Sequence, residues 1–253
     1  MARHEPSALL EGVRFESVPR DRNRAVIVTK WTGIDEGAAM RRDQLPRPGA
    51  HGAYAVPGHL DARVIGMSGH VIDRSPKMLL RTARRLTGLL AGGEFAQLIV
   101  MGEREVHMRV GLSAQTSVVV RGNDPCVADF QLQLWAPNPR MYGEVREFAA
   151  GQYAYHYGNF PALPELIITG PAPSGYTITG TGGRRYVVTQ PLSAGQTHRI
   201  DMATGWLYRD GVLQSGAVQQ AHTWEVPPGL PGVVHKIVGA VGSFTVRLTD
   251  TFV

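Results

Sequence analysis

Cysteine is nearly absent: Cys126 is the single one in 253 residues, which excludes an intramolecular disulfide and any Cys-x-x-Cys metal or redox pair. Beside Pro125 it reads as a small apolar side chain rather than a nucleophile. No apolar run approaches the roughly 20 residues of a bilayer span, so membrane insertion is not expected. Arg3, His4, Glu5 and Glu11 interrupt any apolar stretch near the amino terminus, so no secretion signal is expected and production in a reducing cytoplasm is. Lysine is scarce too, only Lys30, Lys77 and Lys236, so the net charge of +5 rests on arginine. Arginine is spread through both halves, with pairs at Arg41-Arg42, Arg84-Arg85 and Arg184-Arg185. Sequence-specific nucleic-acid binders concentrate their charge on one element, so that function is not expected here.

Catalytic signatures are missing in the same way. His51, His59 and His70 fall near one another but make no i,i+4 pair and match no zinc spacing. His107 and His156 sit beside apolar strand positions and read as packed histidines. Asp201, Asp210 and Glu225 are acids at turns or strand edges rather than a glycosidase pair; Asp210-Gly211 is itself a turn dipeptide. No Gly-x-Ser-x-Gly elbow is present. Gly180-Thr181-Gly182-Gly183 lacks the Lys-Ser/Thr ending of a phosphate cradle. Neither an enzyme nor a cofactor is expected.

What the chain does hold is turns and short strands. Its 30 Gly and 17 Pro are scattered, which favours a mainly β fold, and the length allows one large or two medium domains. Residues 24–31 have the β-branched content of a strand. From Gly33 to Leu60 apolar periodicity vanishes, and so long a connection is expected to be a projecting loop. A strand from Arg63 to Ile72 places Ile65, Met67 and Val71 on one face. Ser75-Pro76 then supplies a cap and a first-turn proline for a helix over about 76–91. Its apolar stripe is Leu79, Ala83, Leu86 and Leu90, its basic face Lys77, Arg81, Arg84 and Arg85, and its stop Gly92-Gly93. Alternation returns at Val106 to Leu112 and Phe130 to Leu134, with a short apolar run at Val118 to Val120.

The prolines of Pro137-Asn138-Pro139 mark a boundary between about Pro137 and Gly151. Every later element reads as a strand: 166–169, 176–179, 185–189, 198–201, 206–208 and 244–249, spaced by turns as in a β-sandwich. Tyr153, Tyr155 and Tyr157 share one side of an extended segment, as do Trp206 and Tyr208. Either set could stack on sugar rings, though such stripes more often serve sandwich core, domain-interface packing or subunit contact.

The order of several motifs is distinctive. Asn138-Pro139-Arg140-Met141-Tyr142 opens the second half, Gly158-Asn159 is followed by Pro164 and a strand ending at Gly170, Ile200-Asp201 precedes a Gly205 turn, and Trp224 precedes Pro228-Gly229. Before them come a strand, a long loop with His51-Gly52, an Arg63 strand, one helix and paired strands. Over nearly its full length the chain resembles the distal tail protein of long-tailed (siphovirus-type) bacteriophages, with Tyr142, Asn159, Pro164, Gly170, Asp201 and Trp224 at the motif positions.

That resemblance implies a barrel-like ring-forming domain over 1–143 and a galectin-like or carbohydrate-module-like β-sandwich over 144–253. It implies a homohexameric hub at the distal end of a phage tail, made in the host cytoplasm and carried in the virion, with transient, non-specific passage of DNA through a central channel. The implied partners are the major tail-tube protein, tail-tip or tape-measure proteins and peripheral receptor-binding proteins. A channel that lets DNA slide should not grip phosphates. Arg41, Arg42, Arg47, Arg81, Arg84 and Arg85 are therefore expected to face protein. A carbohydrate-binding module or receptor-binding protein, and a major tail-tube protein, are the alternatives.

Overall fold

The structure, a computed structural model, describes residues 6–253; Arg3, His4 and Glu5 of the lead-in lie outside them. The chain divides into two compact units, one running to Met141 and counting Val253, the other Tyr142–Phe252.

The first unit is a closed barrel of seven strands. Its strands are β1 (Ser7–Leu10), β2 (Val13–Glu16), β3 (Ala25–Thr32), β6 (Arg63–Ile72), β7 (Ala96–Met101), β8 (Glu105–Leu112) and β10 (Asp124–Ala136). Two-residue strands β4 (Met40–Arg41) and β5 (His59–Leu60) lie between β3 and β6, and β9 (Ser117–Arg121) precedes β10. The neighbours run β7-β1-β2-β3-β6-β10-β8, and β8 pairs back with β7 to close the ring. Closure leaves no strand edge unpaired around the barrel. All contacts are antiparallel except β2 with β3, where Phe15 faces Val26. The long β10 divides one of its edges: Leu134 and Trp135 pair with β8, while positions up to Gln131 pair with β9.

Alternation explains the core. Ile65, Met67 and Val71 on β6 and Phe130, Leu132 and Leu134 on β10 all turn inward and are buried. The expected apolar run at Val118 to Val120 does form β9, but as an exposed strand, with Val119 62% accessible. Sequence reading passed over β1, β2 and β7, whose inward residues Ala8, Leu10, Val13, Phe15, Leu98 and Val100 complete the barrel interior.

Helix α1 (Pro76–Gly88) begins as expected, with Ser75 Oγ accepting from the Met78 amide. It ends earlier than Gly92. Leu89 leaves helical geometry and Leu90 takes φ +54°, which lets these consecutive leucines both be buried; on a continuing helix they would diverge by about 100°. Leu79 and Leu86 complete its buried stripe, and the helix packs against β6, β9 and β10.

The second unit is a sandwich. One sheet runs β18-β17-β16-β13-β22-β11: β11 (Met141–Ala149), β13 (Glu165–Thr169), β16 (Thr197–Asp201), β17 (Trp206–Arg209), β18 (Val212–Leu213) and β22 (Phe244–Phe252). The other runs β19-β15-β14-β21: β14 (Tyr176–Thr179), β15 (Arg185–Val188), β19 (Val218–Ala221) and β21 (Lys236–Val238). A small pair, β12 (Tyr153–Ala154) and β20 (Val233–Val234), completes it. Leu166, Ile168, Ile200, Leu207 and Val246 from the first sheet meet Tyr176, Ile178, Tyr186 and Val188 from the second in one buried cluster. The fold is thus mainly β with a single α-helix among the described residues.

Candidate interaction surfaces

The long connection after β3 is an arm. Its ends pair through β4 and β5, with Met40 opposite Leu60, and Pro46 bridges to Ala53 near the tip. Nearly all of it is solvent-exposed, including the large apolar side chains Met40, Leu45 and Tyr54. Arg41 reaches Asp61 at 4.0 Å, Arg42 is exposed, and the Arg47 guanidinium lies 5.8 Å from the Tyr54 ring centre. The base is fixed by Arg63, which is buried on β6. Its Nη1 donates to the Gly33 and Glu36 carbonyls at 2.8 and 2.7 Å, and its Nε donates to the Pro139 carbonyl at 3.0 Å. Burial pulls the Arg63 pKa down, opposed by the nearby Glu36. Gly33 itself has φ +76°, and a β-carbon there would lie 1.9 Å from the Val64 carbonyl oxygen, so only glycine lets the arm leave the barrel at this point.

The basic helix face divides. All three of its arginines are exposed, and Arg81 and Arg85 also line a half-open cleft of about 320 Å³ together with Arg14, Arg20 and Arg24 from the β2–β3 region. The six arginines expected at interfaces therefore fall into two sets, three on the arm and three on α1. Sequence reading missed the other cleft arginines, because nothing in their spacing announces that β2 and β3 face the helix. It also missed an aromatic patch on the barrel's outer face. Trp135 stands opposite Val64 on β6, its ring centre is 6.0 Å from that of Phe95, and Arg109 lies over Phe95 at 5.4 Å. All three apolar residues are more than a third exposed.

In the sandwich, the motif residues are placed mainly in turns and the core. Asp201 Oδ1 accepts from the Ala203 amide and Oδ2 from the Thr204 hydroxyl, holding the turn before β17. The Pro164 carbonyl accepts from the Met202 amide, and the Gly170 amide donates to the Gln196 carbonyl. Trp224 is buried, with its indole N–H donating to His235 Nε2 at 2.9 Å. Tyr142 is half-buried at the start of β11, and Asn159 is exposed.

The aromatic sets are both at the surface. Tyr153, Tyr155 and Tyr157 project on one side while Ala154 and His156 between them are buried. Tyr155 packs on Phe148 and Tyr157 at 5.2 and 5.5 Å, and Arg146 covers the Tyr157 ring at 4.7 Å. Trp206 is 52% exposed, and the Tyr208 ring is covered by Arg199 at 4.2 Å. Arg199 and Arg247 both bind Glu165 beside them.

Three histidines are buried in this unit: His156, His198 and His235. His156 Nδ1 accepts from the Gly158 amide, so its proton sits on Nε2, facing the Val226 carbonyl at 3.2 Å. The Tyr176 hydroxyl lies 3.0 Å from His198 Nδ1. Burial lowers the pKa of all three. His235 falls to about 4, with the Val233 carbonyl opposing the shift only in part. These are packed, neutral side chains, and among the described residues no group of three or more His, Cys, Asp or Glu is placed to hold a metal ion.

A closed barrel bearing one helix and an exposed arm, followed by a two-sheet sandwich, defines a mainly β chain. No family model matches the sequence, and no curated protein matches it. Among solved structures, the chain is similar to the SPP1 Dit (gp 19.1) protein, described as a paradigm of the hub adsorption apparatus in phages infecting Gram-positive hosts. The TM-score is 0.77 at 13% identity, over 98% of this chain and 99% of that one. Two structures of the phage P2 baseplate in its activated conformation, with Ca and with Sr, align at 8% identity over 96% of this chain, with TM-scores of 0.48 and 0.44. The likeness to SPP1 Dit establishes that this chain has the Dit fold from end to end.

Proposed function

We propose that this chain is a structural virion protein, the hub at the distal end of a phage tail that joins the tail tube to the tail tip and the host-adsorption apparatus. The observation that carries this reading is the end-to-end match to SPP1 Dit, barrel and sandwich together, with almost no part of either chain left over. A match confined to the sandwich would have fitted a carbohydrate-binding module equally well. In this proposal six copies form a ring through the barrel units, DNA passes through the central hole, and the protein acts without catalysis or a cofactor. The tube, tail-tip and peripheral receptor-binding proteins attach to it, and assembly takes place in the host cytoplasm.

Ring formation has a physical rationale. A closed ring repeats one heterologous contact by rotation, so each copy must present two different surfaces. The exposed arm and the Val64-Phe95-Trp135 patch are two such surfaces on one unit. Size-exclusion chromatography with light scattering over a range of concentrations tests the reading. The expected species has a mass of about six times the 27.5 kDa chain. A monomer at every concentration would count against a ring that forms without partners.

A further inference from the structure

We propose that the cleft between α1 and the β2–β3 region is a docking site for the carboxylate side chains of an acidic, apolar-flanked peptide segment on a partner protein. The proposal rests on the assembly role above and names one contact through which that role is exercised.

Charge accounting within the cleft carries the argument. Five arginines line it against three acids, Glu16, Asp21 and Asp73. Each acid is already engaged. Glu16 is nearly buried and lies within 3.8 Å of Arg14 and 3.5 Å of Arg20, while also accepting from the Arg20 amide. Asp21 is held at 2.9 Å by Arg74, which lies outside the cleft, and its pKa is lowered first by the Asn23 amide and then by Arg74. Asp73 is buried and accepts from the Thr82 hydroxyl and the Arg74 amide. Arg24 acts on Asp21 only beyond ion-pair distance, Arg81 makes no ion pair among the described residues, and Arg85 donates to the Glu11 carbonyl at 3.2 Å. Two arginines of α1, Arg81 and Arg85, thus line the cleft with no carboxylate at ion-pair distance among the described residues.

The floor decides the kind of anion. Val13, Val26, Ile72 and Leu86 are among the cleft's lining residues, so the site offers apolar contact beside its arginines. A carboxylate on an aliphatic stem satisfies both, because guanidinium binds it through paired hydrogen bonds while the stem covers the floor. A cavity of about 320 Å³ lies at the small end of ligand pockets, typically ~300–1,000 Å³, and takes one or two side chains rather than a duplex. The partner is therefore an acidic protein segment and not nucleic acid.

The test uses the full chain and fluorescence anisotropy with a fluorescein-labelled peptide of alternating glutamate and leucine. Saturable binding is expected, weakened by at least about tenfold in an Arg24→Gln/Arg81→Gln double variant. A Lys77→Gln/Arg84→Gln control, which removes the same charge from exposed positions on α1, should stay within about twofold of the parent. The peptide with glutamine in place of glutamate should not bind. Absence of saturable binding, or equal loss in both variants, overturns the proposal. Displacement by a short DNA duplex or inorganic phosphate at lower concentration than by unlabelled peptide overturns the choice of carboxylate. Light scattering on the same samples reads ring assembly separately: a parent that binds the peptide yet never forms a ring counts against a ring that forms without partners and leaves the cleft standing, and the converse contradicts only the cleft.

Discussion

Arg63 shows how one side chain sets the position of a whole surface. Its guanidinium ties the two carbonyls at the arm's base to Pro139, from a buried position. A lysine has no planar fork and cannot serve three carbonyls from one head group in this way. Arg63→Met should therefore cost about 1–3 kcal/mol, because three partly buried carbonyls lose a charged donor. It should also speed limited proteolysis within residues 37–58, and unchanged stability with unchanged cleavage would refute the staple. The buried histidines make a second prediction. Each has a folded pKa below its ordinary value, so the unfolded chain takes up protons first as pH falls. Their contribution is complete above about pH 6.5 and is lost as pH drops towards the folded values, about 4 for His235. That shift alone corresponds to roughly 3 kcal/mol. Urea midpoints for the sandwich should fall steadily from pH 7 to pH 4.5, less steeply in His235→Gln; a flat profile would show that these groups do not titrate with unfolding. Little of this was legible beforehand. A histidine between apolar strand residues reads as packed, but only the fold shows that His156 binds Gly158 and Val226, or that Arg63 faces inward.

Among the elements, those with a strong local signal were read correctly and those defined by their neighbours were not. Ser75-Pro76 sets the start of α1 because capping is decided within one turn. Its end was misplaced because burying Leu89 and Leu90 together is a tertiary demand. The alternating β6, β8 and β10 announced themselves through period two. The four-residue β1 and β2 did not, since a strand that short carries too few alternations to stand out. Loss of periodicity from Gly33 to Leu60 correctly marked a projecting segment, and the pairing of β4 with β5 shows that it leaves and returns along one path. The arm adds little to the core: its large apolar residues Met40, Leu45 and Tyr54 are all more than half exposed. Replacing 37–58 with a short Gly-Ser linker should leave the barrel's melting temperature within about 4 °C of the parent, a change near 1 kcal/mol for a domain of this size. The same deletion should abolish ring assembly. A barrel that fails to fold without the arm would contradict its assignment as a docking element.

At the scale of the whole molecule, the architecture was expected as a barrel-like unit followed by a sandwich, and the end-to-end similarity to SPP1 Dit carries the same order. Arginine content and net charge gave no guide to function. The fold separates arm arginines from cleft arginines, a division on which the proposed contacts rest. Closure leaves no free edge around the barrel itself, so in the proposed ring the contacts between copies would fall to the arm and the outer aromatic patch. In the proposed role the protein acts by holding other proteins in place, so the number and arrangement of its own copies is the property to measure. Negative-stain electron microscopy of the purified full chain at high concentration tests that property directly. The account predicts discrete rings whose class averages show sixfold symmetry and a central hole. A field of single 27.5 kDa particles, or of long tubes, would contradict it.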